Sequence, residues 1–288
     1  MARIDVDGLM LDYELLGEEG APPLVITPGG RYARDTAGVP ELGAELAQAG
    51  YRVLLWDRPG CGASDIAFTA PSESVMNAQA LVGLVEALGL KDIRMAGGSA
   101  GSRITLMAAA RMPQNVRKIA IWWLSGGPVG LAGLAWFYCG DQIAAASKGG
   151  MEAVAALPSW ADQTARNPRI RDILLAQDAE AYIDTMQRWG KAFAYSDETP
   201  IPGMAPADFA ALTMPVMTFR SGKSDMAHTR RTSEWVHELL PCSSLVEPPW
   251  SDQEWNYVST FPIDTAKRRG RFERWPLLTP MLTEFFRD

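Results

Sequence analysis

The sequence predicts an α/β fold built on a mostly parallel sheet. Short β-rich apolar runs alternate with longer helical patterns through the first 125 residues, and two more such runs appear near residues 216 and 244. That alternation is what parallel strands joined by crossover helices produce. Size agrees: 288 residues, 47% hydrophobic and 21% charged, can bury one large core with an insertion and do not read as a disordered chain.

Taken in order, Arg3–Val6 and Leu9–Leu16 form an expected antiparallel pair around Asp7-Gly8, a dipeptide that favours tight hairpin turns. Leu24–Thr27, Arg52–Trp56, Ile93–Gly97 and Ile119–Leu124 are short apolar runs bounded by Gly, Pro or Asp, as buried parallel strands are. Helices over about Glu41–Ala49, Glu73–Leu88 and Ala100–Arg111 supply the crossovers. From Leu131 to about Tyr195 the strand signals stop, and the text turns helical and rich in Ala, Met and large aromatics. Strands resume at Val216–Arg220 and Ser244–Glu247, around a helix near Thr229–Leu240, and a last helix is expected over about Phe272–Phe286. The expected division is a core of residues 1–130 and 196–288 with a helical cap of residues 131–195.

Thirty-four acids against 27 bases leave a formal net charge of −7, which argues against nucleic acid or an anionic membrane as partner and for a small molecule. Met1–Gly8 carries acids and alternates like a strand, so no signal peptide is expected. No apolar run is long enough to span a bilayer. Cys61, Cys139 and Cys242 are odd in number and lack CxxC spacing, so neither a disulfide framework nor a zinc site is suggested and a cytoplasmic setting fits. No metal or organic cofactor is implied, because no His/Cys/Asp cluster has ligand spacing and no Rossmann or P-loop pattern occurs. Oligomeric state is left open, a homodimer included.

The sharpest chemical signal is Gly97-Gly98-Ser99-Ala100-Gly101, directly after an apolar strand and directly before a helix. A serine there is held on a tight turn, with small neighbours where strand and helix backbones approach closely. The plain alternative is a Gly-rich turn with an N-capping serine. Two further motifs lie in register with it: Thr27-Pro28-Gly29-Gly30 after the third strand, and Trp56-Asp57-Arg58-Pro59-Gly60-Cys61-Gly62-Ala63-Ser64-Asp65 after the fourth.

With these three motifs in this order the chain resembles the α/β-hydrolase family over nearly its whole length. The resemblance implies an eight-stranded sheet, a cap inserted after the sixth strand, and a Ser–acid–His triad in that chain order. Ser99 would be the nucleophile, and the backbone N–H groups of Gly30 and Ala100 would form the oxyanion hole. Asp225, in Ser221-Gly222-Lys223-Ser224-Asp225 after the seventh strand, stands at the family's acid position; its plain alternative is a helix N-cap. Arg31 and Tyr32 would sit at the pocket mouth, where they could meet a polar or carboxylate end of a substrate or stay solvated. Trp136, Trp189 and Trp250 are candidate apolar pocket walls, against the plain reading that they fill core and cap.

One feature departs from the family. After the eighth strand, where its histidine belongs, the chain reads Glu247-Pro248-Pro249-Trp250-Ser251-Asp252-Gln253-Glu254-Trp255. Of two histidines in the chain, His237 lies on a helix between Glu234 and Glu238 and reads as a surface residue. His228 follows Asp225 by three positions and is the candidate base, oriented by Asp225, Asp252 or both. If it only packs in its turn, Asp252 or Glu254 would be a weaker base. The resulting expectation is a hydrolase of ester, lactone or similar acyl bonds in a small, largely apolar or aromatic substrate, through a Ser99 acyl-enzyme. The alternatives are a carbon–carbon bond-cleaving or other non-hydrolytic member of the fold, and a catalytically weak ligand-binding one.

Overall fold

Eight strands form one sheet in the order β1-β2-β4-β3-β5-β6-β7-β8, in a computed structural model that describes residues 2–259 and 270–287. The part of the expected core segment over residues 260–269 lies outside the described residues. The strands are β1 (Ala2–Val6), β2 (Leu9–Leu16), β3 (Pro23–Thr27), β4 (Arg52–Trp56), β5 (Ile93–Gly98), β6 (Val116–Trp122), β7 (Val216–Phe219) and β8 (Ser243–Val246). β1 and β2 pair antiparallel through Asp7 and Gly8, both at positive φ (51° and 84°), as a right-twisted two-residue hairpin requires. β2 lies antiparallel on β4, and the pairings from β4 across to β8 are parallel.

Strand order locates the crevice. β4 lies on one side of β3 and β5 on the other, so the winding reverses between β3 and β5, and the loops leaving their carboxyl ends diverge. Register Thr27↔Gly97 then sets the Gly29-Gly30 turn beside Ser99. Helices α1 (Val39–Gln48), α2 (Glu73–Ala87) and α3 (Ala100–Ala109) are the crossovers. Two apolar clusters, one per sheet face, bury β3 to β6.

Between β6 and β7 the chain forms α4 (Pro128–Ala135), a π-helical turn (Trp136–Gly140), α5 (Asp141–Ala155), α6 (Pro158–Arg166), α7 (Arg169–Leu175) and α8 (Ala179–Lys191). Leu131, Tyr138, Val154, Trp160, Tyr182 and Trp189 make a third buried cluster there, which Ile66, Phe68 and Met76 join from the segment after β4. The cap is thereby seated on the core by its own apolar residues. Among the described residues, four short helices follow: α9 (Pro206–Ala210), α10 (Arg230–Leu239), α11 (Glu254–Ser259) and α12 (Thr279–Phe286).

Several boundaries differ from expectation, and three of them have a plain physical cause. α1 starts at Val39 because Pro40 suits a first helical turn. β6 ends at Trp122 instead of Leu124, since Trp123 takes a positive φ of 51° that no strand accommodates. The last helix starts at Thr279, preceded by a 3₁₀ turn at Trp275–Leu278. Pro276 and Pro280 each lack the N–H that a helix interior needs and are tolerated only in a first turn, so α12 begins at Thr279 with Pro280 in that turn. No helix among the described residues is long and apolar enough to cross a membrane.

Candidate active site

Ser99 sits at φ 57°, ψ −123°, between the end of β5 and the start of α3. Its neighbours explain how a non-glycine residue stays there. A side-chain carbon on Gly97 would lie 2.6 Å from the Gly101 carbonyl oxygen, and one on Gly101 would lie 2.0 Å from that of Thr27. Both positions therefore admit only glycine, and the strand and helix close on each other at the turn. The Ser99 N–H donates to the Trp122 carbonyl at 3.1 Å, which pins the turn to β6. On its open side is Gly29, where an added carbon would approach the Ser99 Cβ to 2.8 Å. The adjacent Gly30 has φ 52°. Ala100 is the first residue of α3, so its N–H has no acceptor within the helix.

Ser99 Oγ lies 2.9 Å from His228 Nε2, and His228 Nδ1 lies 3.1 Å from Asp225 Oδ2. His228 and Asp225 side chains are each 2% exposed. With Nδ1 protonated against the carboxylate, Nε2 is left to accept from the Ser99 hydroxyl. Asp225 and His228 achieve this at a spacing of three residues because Asp225 Oδ1 accepts the backbone N–H groups of Ala227 (2.9 Å) and His228 (2.8 Å). The chain thus wraps around the carboxylate and leaves Oδ2 free for the ring. Helix α10 is capped by Thr229, whose side chain accepts from Thr232 N, so Asp225 does not serve as its cap.

Aromatic rings enclose the imidazole. Trp123 stacks on it at 6.1 Å between centroids and 25° between planes, and Trp255 meets it edge-on at 4.3 Å and 88°. Trp250 and Phe272 pack on Trp123 in turn, at 5.5 and 6.4 Å. A separate groove of about 700 Å³, lined by residues including Gly8, Ile66, Ala70, Gly83 and Arg169, lies between the β1–β2 hairpin, α2 and the cap. None of Ser99, Asp225 or His228 lines it.

The α/β hydrolase fold family matches residues 22–122, from β3 through the Ser99 turn to the end of β6. A solved 2-hydroxy-6-oxo-6-phenylhexa-2,4-dienoate hydrolase from a Rhodococcus species superposes on 99% of this chain and 98% of its own, with a TM-score of 0.63 at 21% identity. The chain has the α/β-hydrolase fold. An enol-lactonase from Burkholderia xenovorans covers 93% of the chain and 99% of its own length with a TM-score of 0.59 at 21% identity. In sequence, a 2-hydroxy-6-oxononadienedioate/2-hydroxy-6-oxononatrienedioate hydrolase from Pseudomonas putida is 35% identical over 122 residues. That match spans 42% of this chain and 42% of the relative, less than half its length.

Within this α/β-hydrolase fold several residues fall elsewhere than expected. Asp252 does not reach His228: its carboxylate, 44% exposed, accepts from Arg230 Nη2, and its carbonyl accepts from Ser224 Oγ. The arginine holds it outside. Arg31 is not at a solvated mouth, for its side chain is 7% exposed, with Nε donating to Glu73 at 3.2 Å and Nη2 to the Tyr138 carbonyl at 3.2 Å. Tyr32 packs edge-on against Phe272 and accepts from Arg271 Nε through its hydroxyl. Glu254 is buried and pairs with Arg274 at 2.7 Å. His237 is half-buried on α10. Trp123 and Trp255, the two rings on the imidazole, were not singled out. The Trp-rich loop in the histidine's usual place was the signal for Trp255, whereas the backbone twist that turns Trp123 onto the ring left none.

Trp136 and Trp189, expected as pocket walls, separate. Trp136 is 64% exposed and lies over Gly140, because the π-helical turn that it opens shifts it off the buried stripe. Trp189 is fully buried, with Nε1 donating to the Ala70 carbonyl at 2.9 Å and its ring tilted on Phe68. Trp189→Ala is therefore expected to cost about 3–5 kcal/mol and Trp136→Ala under about 0.5 kcal/mol in urea unfolding. Equal losses would return Trp136 to the interior.

Proposed function

We propose that the chain is a serine hydrolase that cleaves an ester, lactone or similar acyl bond in a small, largely apolar or aromatic substrate. The observation that carries this is the line from Ser99 Oγ through His228 to Asp225, with 2.9 and 3.1 Å links. A serine hydroxyl becomes an effective nucleophile when a neighbouring base takes its proton. Ser99 Oγ attacks the carbonyl as His228 Nε2 accepts the hydroxyl proton, and Asp225 orients and offsets the imidazolium. The backbone N–H groups of Ala100 and Gly30 receive the developing oxyanion. His228 then protonates the leaving group, and a water activated by the same nitrogen releases the acid. Trp123, Trp250, Trp255 and Phe272 supply the apolar wall beside the base.

A second reading, hydrolysis of a carbon–carbon bond next to a ketone, is favoured by the likeness to the Rhodococcus and Pseudomonas putida hydrolases. There the proton must be delivered to carbon instead of oxygen. Incubation with a serine-reactive fluorophosphonate, p-nitrophenyl esters and 2-hydroxy-6-oxo-6-phenylhexa-2,4-dienoate separates the readings. Labelling of Ser99 with ester turnover is the expected result, and labelling with turnover of the dienoate alone favours the second reading. Labelling without turnover would leave a ligand-binding protein. No labelling and no turnover would overturn serine chemistry.

A further inference from the structure

Three guanidiniums are buried together behind the Ser99 turn. Arg58 is 2% exposed and donates through Nη2 to the carbonyls of Gly29, at 3.1 Å, and Gly30. Arg103, one turn along α3 from Ser99, is 3% exposed and donates through Nε to Ser74 Oγ at 2.8 Å. The Arg31 side chain is 7% exposed. Each keeps a buried N–H-bearing nitrogen without an acceptor among the described residues: Arg31 Nη1, Arg58 Nε and Arg103 Nη1. Two stacked cap rings run between two of them, with Arg31 over Tyr138 and Arg103 over Phe193, each at 5.1 Å, and the rings 5.6 Å apart.

The charges do not balance. Glu73 pairs with Arg31, and the other acidic groups close by do not make up the difference. Burial pushes the Cys61 thiol up to about 11 and the Tyr138 phenol up to about 12, so both are neutral at pH 7. Asp57, which burial raises to about 6 and which is therefore mainly ionised at pH 7, offsets one further charge, but its oxygens are taken by the backbone N–H groups of Arg34 and Ala63. Leaving buried cations and donors uncompensated is costly, and a site that tolerates this cost is built for a ligand that removes it.

We propose that Arg31, Arg58 and Arg103 form a subsite for a carboxylate on the acyl portion of the substrate. This rests on the hydrolase reading above and narrows its substrate class to acyl compounds with an anionic end. A carboxylate is the planar anion that guanidinium forks match in paired hydrogen bonds. Arg58 holds the Gly29-Gly30 turn and Arg103 shares α3 with Ser99, so the anion would anchor the acyl chain with its carbonyl toward the hydroxyl.

The test uses the full chain and two readouts. In the first, kcat/KM is compared for the p-nitrophenyl monoester of glutaric acid and for p-nitrophenyl pentanoate, which differ mainly in the terminal carboxylate. The wild type is expected to favour the acid ester by at least about tenfold, and Arg103→Gln and Arg31→Gln each to reduce that ratio by at least about tenfold. In the second, glutarate is expected to raise the melting temperature of the wild type and of Ser99→Ala, and dimethyl glutarate, tried on Ser99→Ala so that it is not cleaved, is expected not to. If neither ester turns over but glutarate still stabilises, the hydrolase reading fails and the subsite stands. No stabilisation by glutarate together with no preference for the acid ester overturns the subsite. Stabilisation by inorganic phosphate but not glutarate overturns its assignment to a carboxylate. If one arginine variant fails to fold, the other carries the comparison.

Discussion

Replacing Ser99 by alanine is expected to lower turnover of an activated ester by about 10⁴-fold or more, with the fold retained. Removing the nucleophile of a serine triad alone costs about as much as removing all its members, because the base and acid then have nothing to activate. What remains is the share of the oxyanion donors and of binding. A graded loss of tenfold or less would show that the hydroxyl is not the attacking group. The same position makes an independent statement about stability. Ser99 holds φ 57°, ψ −123°, a conformation costing a non-glycine residue about 1–3 kcal/mol. Ser99→Gly should therefore be as inactive as Ser99→Ala yet unfold at higher denaturant. A glycine variant less stable than wild type would mean that the hydrogen bond to His228 outweighs the backbone strain.

The second large effect concerns the pair after β7. His228→Gln is expected to lower turnover by at least about 10²-fold, the lower range for loss of a general base. Asp225→Asn should lower it by about 10⁴-fold. The second figure follows from the wiring. An asparagine can keep its oxygen on the N–H groups of Ala227 and His228, which fix the turn. Its amide nitrogen then faces Nδ1, and an N–H donor there forces the proton onto Nε2, where it can no longer accept from Ser99. Asp252→Asn should change turnover less than twofold, since its carboxylate is spent on Arg230. Steady-state kinetics of the three variants checks this. A large loss in Asp252→Asn with a small one in Asp225→Asn would restore the arrangement in which the loop after β8 holds the base.

How much of this was readable in advance depends on the range of the interactions involved. The Asp7-Gly8 hairpin, the apolar strands and the glycine-flanked serine are local: each is written in fewer than ten consecutive residues, and backbone sterics decide them. The strand ends and the last helix were placed less well, because Trp123 leaves β6 under tertiary contacts and prolines spaced four apart delay α12.

The sequence by itself determined an α/β sheet with inserted helices, a serine on a strained turn and a histidine three residues from an aspartate. Only the tertiary structure decided that Asp225 rather than Asp252 meets the imidazole, that Trp255 packs against the imidazole from α11, that Trp189 is core while Trp136 is surface, and that Arg31, Arg58 and Arg103 are buried near one another. Those outcomes turn on pairings between residues up to 119 positions apart, such as Trp189 with Ala70, or on competition for one partner, as when Arg230 captures Asp252. Local patterning has no period that encodes which of two carboxylates an arginine will claim. The geometry of the packed sheet and cap settles it, through burial and the need to satisfy each charge.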